Sequence, residues 1–134
     1  MVAAILVACG ALLVACGTSA RQKQTARKPA QNVADAVAAL QHDLSTQNYR
    51  DLCEQVFSSQ ARDQAGGVSC PSIVARESKG LRNPKIEIKR IEVNGHNAVA
   101  RVMTSAEGQT KLAETIELVW ENGGFRIQAL ASER

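Results

Sequence analysis

Aromatic side chains are scarce in this chain: Tyr49, Phe57, Trp120 and Phe125 are all that 134 residues supply. A surface that stacks exposed bases needs several rings side by side, so no platform of that kind exists here. Histidine is scarcer still. His42 and His96 stand without Cys, Asp or Glu around them at ligand spacing, so no metal site is read from the sequence. Also missing are a G-x-S-x-G elbow, a phosphate loop and a dinucleotide fingerprint, the usual marks of hydrolase, nucleotide and cofactor chemistry. No catalytic residue is assigned, no cofactor is implied, and the chain reads as non-enzymatic. Positive charge is lacking where a nucleic-acid binder would need it. The 16 Lys and Arg include Arg21, Lys23, Arg27 and Lys28, so 12 remain from Gln31 onward against all 13 Asp and Glu. The net charge of +3 therefore sits ahead of the folding unit, and nucleic acid is not an expected partner.

Only one long hydrophobic run is present, and it comes first. Met1 to Ala15 reads MVAAILVACGALLVA, enough for a signal-peptide h-region but short of the roughly 20 residues of a membrane span. Leu13-Val14-Ala15-Cys16, followed by Gly17, resembles the bacterial lipobox, in which small residues before the Cys fit a peptidase and the thiol receives diacylglycerol. The resemblance implies removal of residues 1–15, lipidation of Cys16 with palmitate-type acyl chains, and residence on the extracytoplasmic face of the cell membrane. Leu6-Val7-Ala8-Cys9-Gly10 spells the same motif earlier, but a cut there leaves too short an h-region. An uncleaved signal anchor or a buried helix is the alternative, against which Gly10, Gly17 and the bias to small residues weigh. No Lys or Arg precedes the run, which points to a start upstream of Met1. Two or three acyl chains on one Cys hold a membrane firmly, at roughly 0.8 kcal/mol per buried CH₂.

Gly17 to Ala30, GTSARQKQTARKPA, is polar, basic and closed by Pro29, so residues 16–31 read as the lipidated Cys16 and a flexible tether. Its reach is on the order of 50 Å. Its four cations either solvate a spacer or attract anionic headgroups.

Residues 32–134 then form a single α+β domain, about 100 residues with one modest core. Asn32, with Asp35 three residues on, is placed to cap a helix over about 33–45, in which Val33, Val37, Leu40 and Leu44 recur at helical spacing. Tyr49, Leu52, Cys53, Val56 and Phe57 give a second, shorter helix that ends in the Ser/Gln/Gly-rich stretch up to Gly67. A third opens at Pro71 and is stopped by Gly80, Asn83 and Pro84.

The second half alternates with period two. Asn94-Gly95 suits a type I′ turn that pairs Val93 with His96 and Ile91 with Ala98; a bulge at 89–90 then pairs Ile88 with Ala100 and Ile86 with Val102. A connection over 105–109 pairs Val102 with Leu112 and Ala98 with Ile116. A turn at Asn122-Gly123 pairs Trp120 with Phe125, Leu118 with Ile127 and Ile116 with Ala129. The expected fold is three N-terminal helices packed on a curved four-stranded antiparallel sheet, because the sheet's apolar face needs a cover.

That arrangement resembles the nuclear transport factor 2-like, or cystatin-like, cone. The sequence is similar to small actinobacterial lipoproteins of that superfamily through Asp51-Leu52-Cys53, Ser69-Cys70-Pro71 and Leu118-Val119-Trp120-Glu121-Asn122-Gly123-Gly124-Phe125-Arg126-Ile127, over residues 32–131. The resemblance implies an extracytoplasmic binding or accessory domain. Related folds include ketosteroid isomerase, whose chemistry needs a carboxylate base and a phenolic oxyanion hole. The one phenol here, Tyr49, shares the apolar phase of the second helix and reads as packing.

With Cys9 and Cys16 in the export segment, Cys53 and Cys70 are left in the domain, and an oxidising compartment favours a disulfide between them over two buried thiols. Glu114 falls on the face that should be apolar, between Leu112 and Ile116. It is either a ligand contact in the mouth of the cone, beside Val102, Ile116, Leu118 and Trp120, or a side chain at a strand end that projects into water. Arg76, Lys79, Arg82, Lys85, Lys89 and Arg90 form a basic run among Glu77 and Glu87, either a solvated face or a contact for an acidic partner or the membrane. The expected function is a membrane-anchored, non-catalytic module that binds a small apolar ligand or a protein partner. The alternative is a structural envelope protein with a filled interior.

Overall fold

The computed structural model describes residues 28–132; the expected signal segment, Cys16 and most of the expected tether lie outside the described residues. Helix α1 (Pro29–Thr46) starts ahead of the expected first turn near 33. Pro29 at the first helical position already has its φ set, and the N–H it lacks would have had no partner there. Asn32 therefore lies inside the helix and does not cap it; the N-cap position is Lys28, whose side chain makes no capping bond. Val33, Val37 and Leu40 are buried on one face. Gln47 ends the helix in the left-handed conformation, with φ 57° and its N–H donating to the Asp43 carbonyl.

Helix α2 (Tyr49–Asp51) continues directly into a π-helical turn, Leu52–Val56, closed by Phe57 N–H to the Leu52 carbonyl at 2.9 Å. The wider turn buries Leu52, Cys53 and Val56 together. The stretch after it is not all loop. A further helix, α3 (Ser59–Gln64), is capped by Ser58, whose hydroxyl accepts the Ala61 N–H at 3.0 Å. After a 3₁₀ turn (Gly67–Ser69) helix α4 (Cys70–Glu77) completes the layer, so the described helices number four where three were expected. Gly66 has φ 112°, and a Cβ there would run into Ile73 Cδ1, so this turn requires glycine.

Strands β1 (Lys85–Asn94), β2 (Asn97–Ser105), β3 (Leu112–Glu121) and β4 (Gly124–Ser132) form one antiparallel sheet in the order β1-β2-β3-β4. The β3–β4 turn is as expected: Trp120 pairs with Phe125, Leu118 with Ile127, and both Asn122 and Gly123 have the positive φ of a type I′ turn. The other pairings are corrected. Gly95-His96, not Asn94-Gly95, form the first turn, with Val93 opposite Ala98, Ile91 opposite Ala100, Ile88 opposite Val102 and Ile86 opposite Thr104. The bulge is where it was expected, at Lys89. Between β2 and β3, Val102 pairs with Glu114 and Ala98 with Leu118; Ile116 meets Leu130, because a second bulge interrupts β4 opposite Glu117 and Leu118. The first two corrections are slips of two residues, which keep every side chain on its face.

One face of the sheet thus carries Ala98, Ala100, Val102, Ile116, Leu118, Phe125 and Ile127, all buried beneath α1 and the π turn. Each Val, Leu, Ile or Phe side chain among them contributes roughly 1.5–3 kcal/mol. The helical layer is also tied to the edge strand: Ser58 N–H donates to the Ile127 carbonyl at 2.9 Å, and Ser58 Oγ donates to Gln128 Oε1 at 2.6 Å. The result is the expected α+β class, helices covering a bulged antiparallel sheet. No helix of the described residues is long and apolar enough to cross a membrane.

Candidate functional site: a pocket at the open end of the sheet

Both hairpin turns lie at one end of the sheet. At the other end are the start of β1, the β2–β3 connection and the end of β4. There the alternation goes on past the helices, and Leu112 and Leu130 are 54 % and 53 % exposed. A pocket of about 230 Å³ opens at this place. Leu40 and Leu44 of α1 form one wall, Leu81, Pro84 and Ile86 a second, and Leu112, Ile116 and Leu130 the floor. The rim is fastened. Gln41 Oε1 accepts the Ile86 N–H at 2.6 Å, Glu107 N–H donates to the Arg82 carbonyl at 2.8 Å, and Asn83 Nδ2 donates to Glu107 Oε2 at 2.7 Å.

Glu114 is half-buried in this pocket and is the only ionisable residue that lines it. Thr104 Oγ1 donates to Glu114 Oε2 at 2.7 Å across the β2–β3 pair. A carboxylate here keeps one protein hydrogen bond and faces an apolar cavity, the disposition of a polar group that orients a ligand. The register explains the placement, since pairing with Val102 sets Glu114 diagonal to Thr104.

The residues singled out in the sequence divide between the two ends. Glu114 and Ile116 line the pocket. Val102 and Leu118 are 2 % exposed and fill the core instead, and Trp120 is at the hairpin end, edge-on to Phe125 with ring centroids 5.2 Å apart. Leu40, Leu44, Leu81, Pro84, Thr104 and Leu130 were not anticipated as a lining. Their one sequence signal is that Leu44 and Thr104 continue the buried phase of α1 and β2 beyond the last fully buried residue.

Cys53 and Cys70 are joined in a disulfide with Cα atoms 6.2 Å apart. It clamps α4 to the π turn. Close by, Glu121 binds the start of α3: its carboxylate accepts both the N–H and the hydroxyl of Ser59. These bonds to the charged form, first from the hydroxyl and then from the backbone, hold the Glu121 carboxyl below its ordinary value. Arg126 donates to the Gln55 carbonyl beside it. The Asp43 carboxyl is displaced the other way, raised by burial against the opposing charge of His42, with the least effect, again upward, from Asp51.

Arg76, Lys79, Arg82, Lys85, Lys89 and Arg90 are all exposed; Lys89 pairs with Glu87, and Arg90 with Glu92 at 2.8 Å. A larger hollow of about 500 Å³ lies beside the pocket but is bordered by the exposed Lys85, Glu87 and Lys111, and reads as open surface. His42 and His96 are exposed, and among the described residues no three His, Cys, Asp or Glu side chains converge on a metal position.

No protein-family model matches the chain, and no curated protein matches it. Among solved structures it is similar to a nuclear transport factor 2-like protein of unknown function from Shewanella baltica OS155, at 16 % identity with a TM-score of 0.47, covering 81 % of this chain and 99 % of that one. It is also similar to a de novo designed protein of the nuclear transport factor 2 fold, NT-9, at 17 % identity with a TM-score of 0.40, over 74 % and 80 % of the respective chains.

Proposed function

We propose that this protein is a lipid-anchored, extracytoplasmic binding module that takes up a small, largely apolar ligand at the open end of its sheet. The pocket carries this reading: about 230 Å³ of space walled by leucine, isoleucine and proline side chains around a single carboxylate held by Thr104. Ligand sites of roughly 300–1,000 Å³ suit drug-sized molecules, so this one fits something smaller. The anchor rests on the lipobox-like Leu13-Val14-Ala15-Cys16-Gly17.

The pocket is tested with a compact neutral probe, cyclohexanol, titrated into the full chain by calorimetry. Saturable binding that disappears in Leu44→Trp, a variant that fills the cavity from α1, supports the reading; unchanged binding in that variant removes it. The anchor is tested separately by mass spectrometry of protein purified from the envelope. Acylation is expected at Cys16 and is expected to vanish in Cys16→Ala, and retained acylation would move the site to Cys9.

A second reading, an envelope protein whose domain binds no small ligand, is favoured by one observation. Val102 and Leu118, both 2 % exposed, fill the interior beneath the pocket and beyond it. Under that reading cyclohexanol does not saturate.

A further inference from the structure

The pocket's charge limits what it can accept, and this inference rests on the binding reading above. Thirteen residues line the cavity, and Glu114 is the only one of them that ionises. Its neighbours on the wall are aliphatic, with hydroxyl and amide groups of Thr104, Ser105, Gln109 and Thr110 at the rim. The cations closest in sequence, Arg82, Lys85 and Lys111, are exposed and outside the lining. An anionic head would therefore meet a like charge with no lining cation to offset it. A neutral alcohol could donate one hydrogen bond to the carboxylate. An ammonium or amidinium group could donate a charge-assisted one and bring the opposite charge into a partly desolvated space, where the attraction is stronger than in water.

The position of Glu114 adds to this. Its Oε2 accepts from Thr104 at 2.7 Å, which fixes the head of a side chain that would otherwise swing into solvent. The strand places it on the same face as the exposed Leu112, so a ligand lying on Leu112 has its polar end at the carboxylate. We infer that the pocket selects small organic cations: a compact apolar body carrying one amine or amidine, with the apolar part on Leu44, Leu112 and Leu130 and the cation on Glu114. Fatty acids and other anionic amphiphiles are rejected by the same residue.

Three probes of one shape test this on the full chain: cyclohexylammonium, cyclohexanol and cyclohexanecarboxylate, titrated by calorimetry at neutral pH and low salt. The ammonium is expected to bind about tenfold or more tightly than the alcohol, the scale of one hydrogen bond to a charged group, and the carboxylate most weakly. In Glu114→Gln, whose fold is checked by its melting curve, the ammonium should lose its advantage over the alcohol. Equal affinities for all three probes in the unaltered protein overturn the charge selection but leave the pocket standing. An ammonium preference that survives Glu114→Gln assigns the selection to another group and also overturns it. If no probe binds, both this inference and the binding reading fall. The unaltered protein alone distinguishes cation from anion, so an unfolded variant would not remove the test.

Discussion

The two ends of the sheet are built from the same alternation and reach opposite outcomes. Toward the hairpin turns, Leu118 of β3 packs against Ala98 and Ile127 under the π turn and is 2 % exposed. Six residues earlier on the same face of the same strand, Leu112 is 54 % exposed at the pocket mouth. Apolar period two is thus no guarantee of burial. What decides is how far the covering helices extend, and α1 reaches Thr46 while the strands go on. The closed end supplies stability, and the open end supplies the cavity.

The largest effect expected from this contrast is a mutational one. Leu118→Ala should cost about 2–5 kcal/mol, the range for a leucine removed from a packed core, whereas Leu112→Ala should cost less than about 1 kcal/mol. Urea midpoints at constant slope measure both. Equal losses would mean that the open end is packed like the closed one.

Next in size is the disulfide, whose sequence separation is 17. A double change of Cys53→Ala and Cys70→Ala should lower stability by about 2–4 kcal/mol, or the melting point by roughly 10 °C. Reduction of the unaltered protein should do the same, and the double variant should then be insensitive to reductant. Because α4 leads through Leu81 to the pocket wall, the double variant should also weaken cyclohexanol binding. A change in melting without any change in binding would show that the clamp serves the closed end alone.

The smallest effects are in the pH dependence, and two carboxylates give opposite signs. Glu121 has its folded pKa lowered by Ser59, so its contribution is present above the ordinary value of 4.5 and lost as pH falls through the folded value. Glu121→Gln should remove that acid loss and cost less than about 1 kcal/mol at neutral pH, as expected of an exposed contact. Asp43 has its folded pKa raised by burial. Stability then falls as pH rises from below the ordinary value of 3.8 through the folded one, because the folded state holds the proton longer. Asp43→Asn should flatten this fall and leave the protein more stable above that window. Urea midpoints across the acid range, compared for the two variants, read both signs.

The contrast between the ends also explains what could be read from the sequence. Asn122-Gly123 specifies its turn because both residues must adopt positive φ, and the pairing of Trp120 with Phe125 follows. Asn94-Gly95 looks equivalent but is not used as the turn. Gly95 alone has positive φ, at 60°, with His96 after it, as a type II′ turn requires. The consequence is a slip of two residues, which period two cannot detect, since Val93 keeps its face whether it meets His96 or Ala98. The same degeneracy acts between β2 and β3: pairing Val102 with Leu112 would set Glu114 opposite Ala100, whereas it lies opposite Val102. Glu114 was legible as a polar residue on an apolar face, but its partner Thr104 was not, because that contact depends on the register. Nor was the lining contributed by Leu40, Leu44 and Leu130 legible. Helical spacing marks these faces as apolar without saying where the cover stops.

A titration of cyclohexanol into the methyl-labelled protein, followed by nuclear magnetic resonance, separates the open end from the closed one. Saturable shifts are expected at the methyl groups of Leu44, Ile86 and Leu130, with Leu118 and Ile127 at the closed end unmoved. Shifts at Leu118 and Ile127 of equal size, or none at the pocket methyls up to the solubility of the probe, would contradict this placement of the ligand.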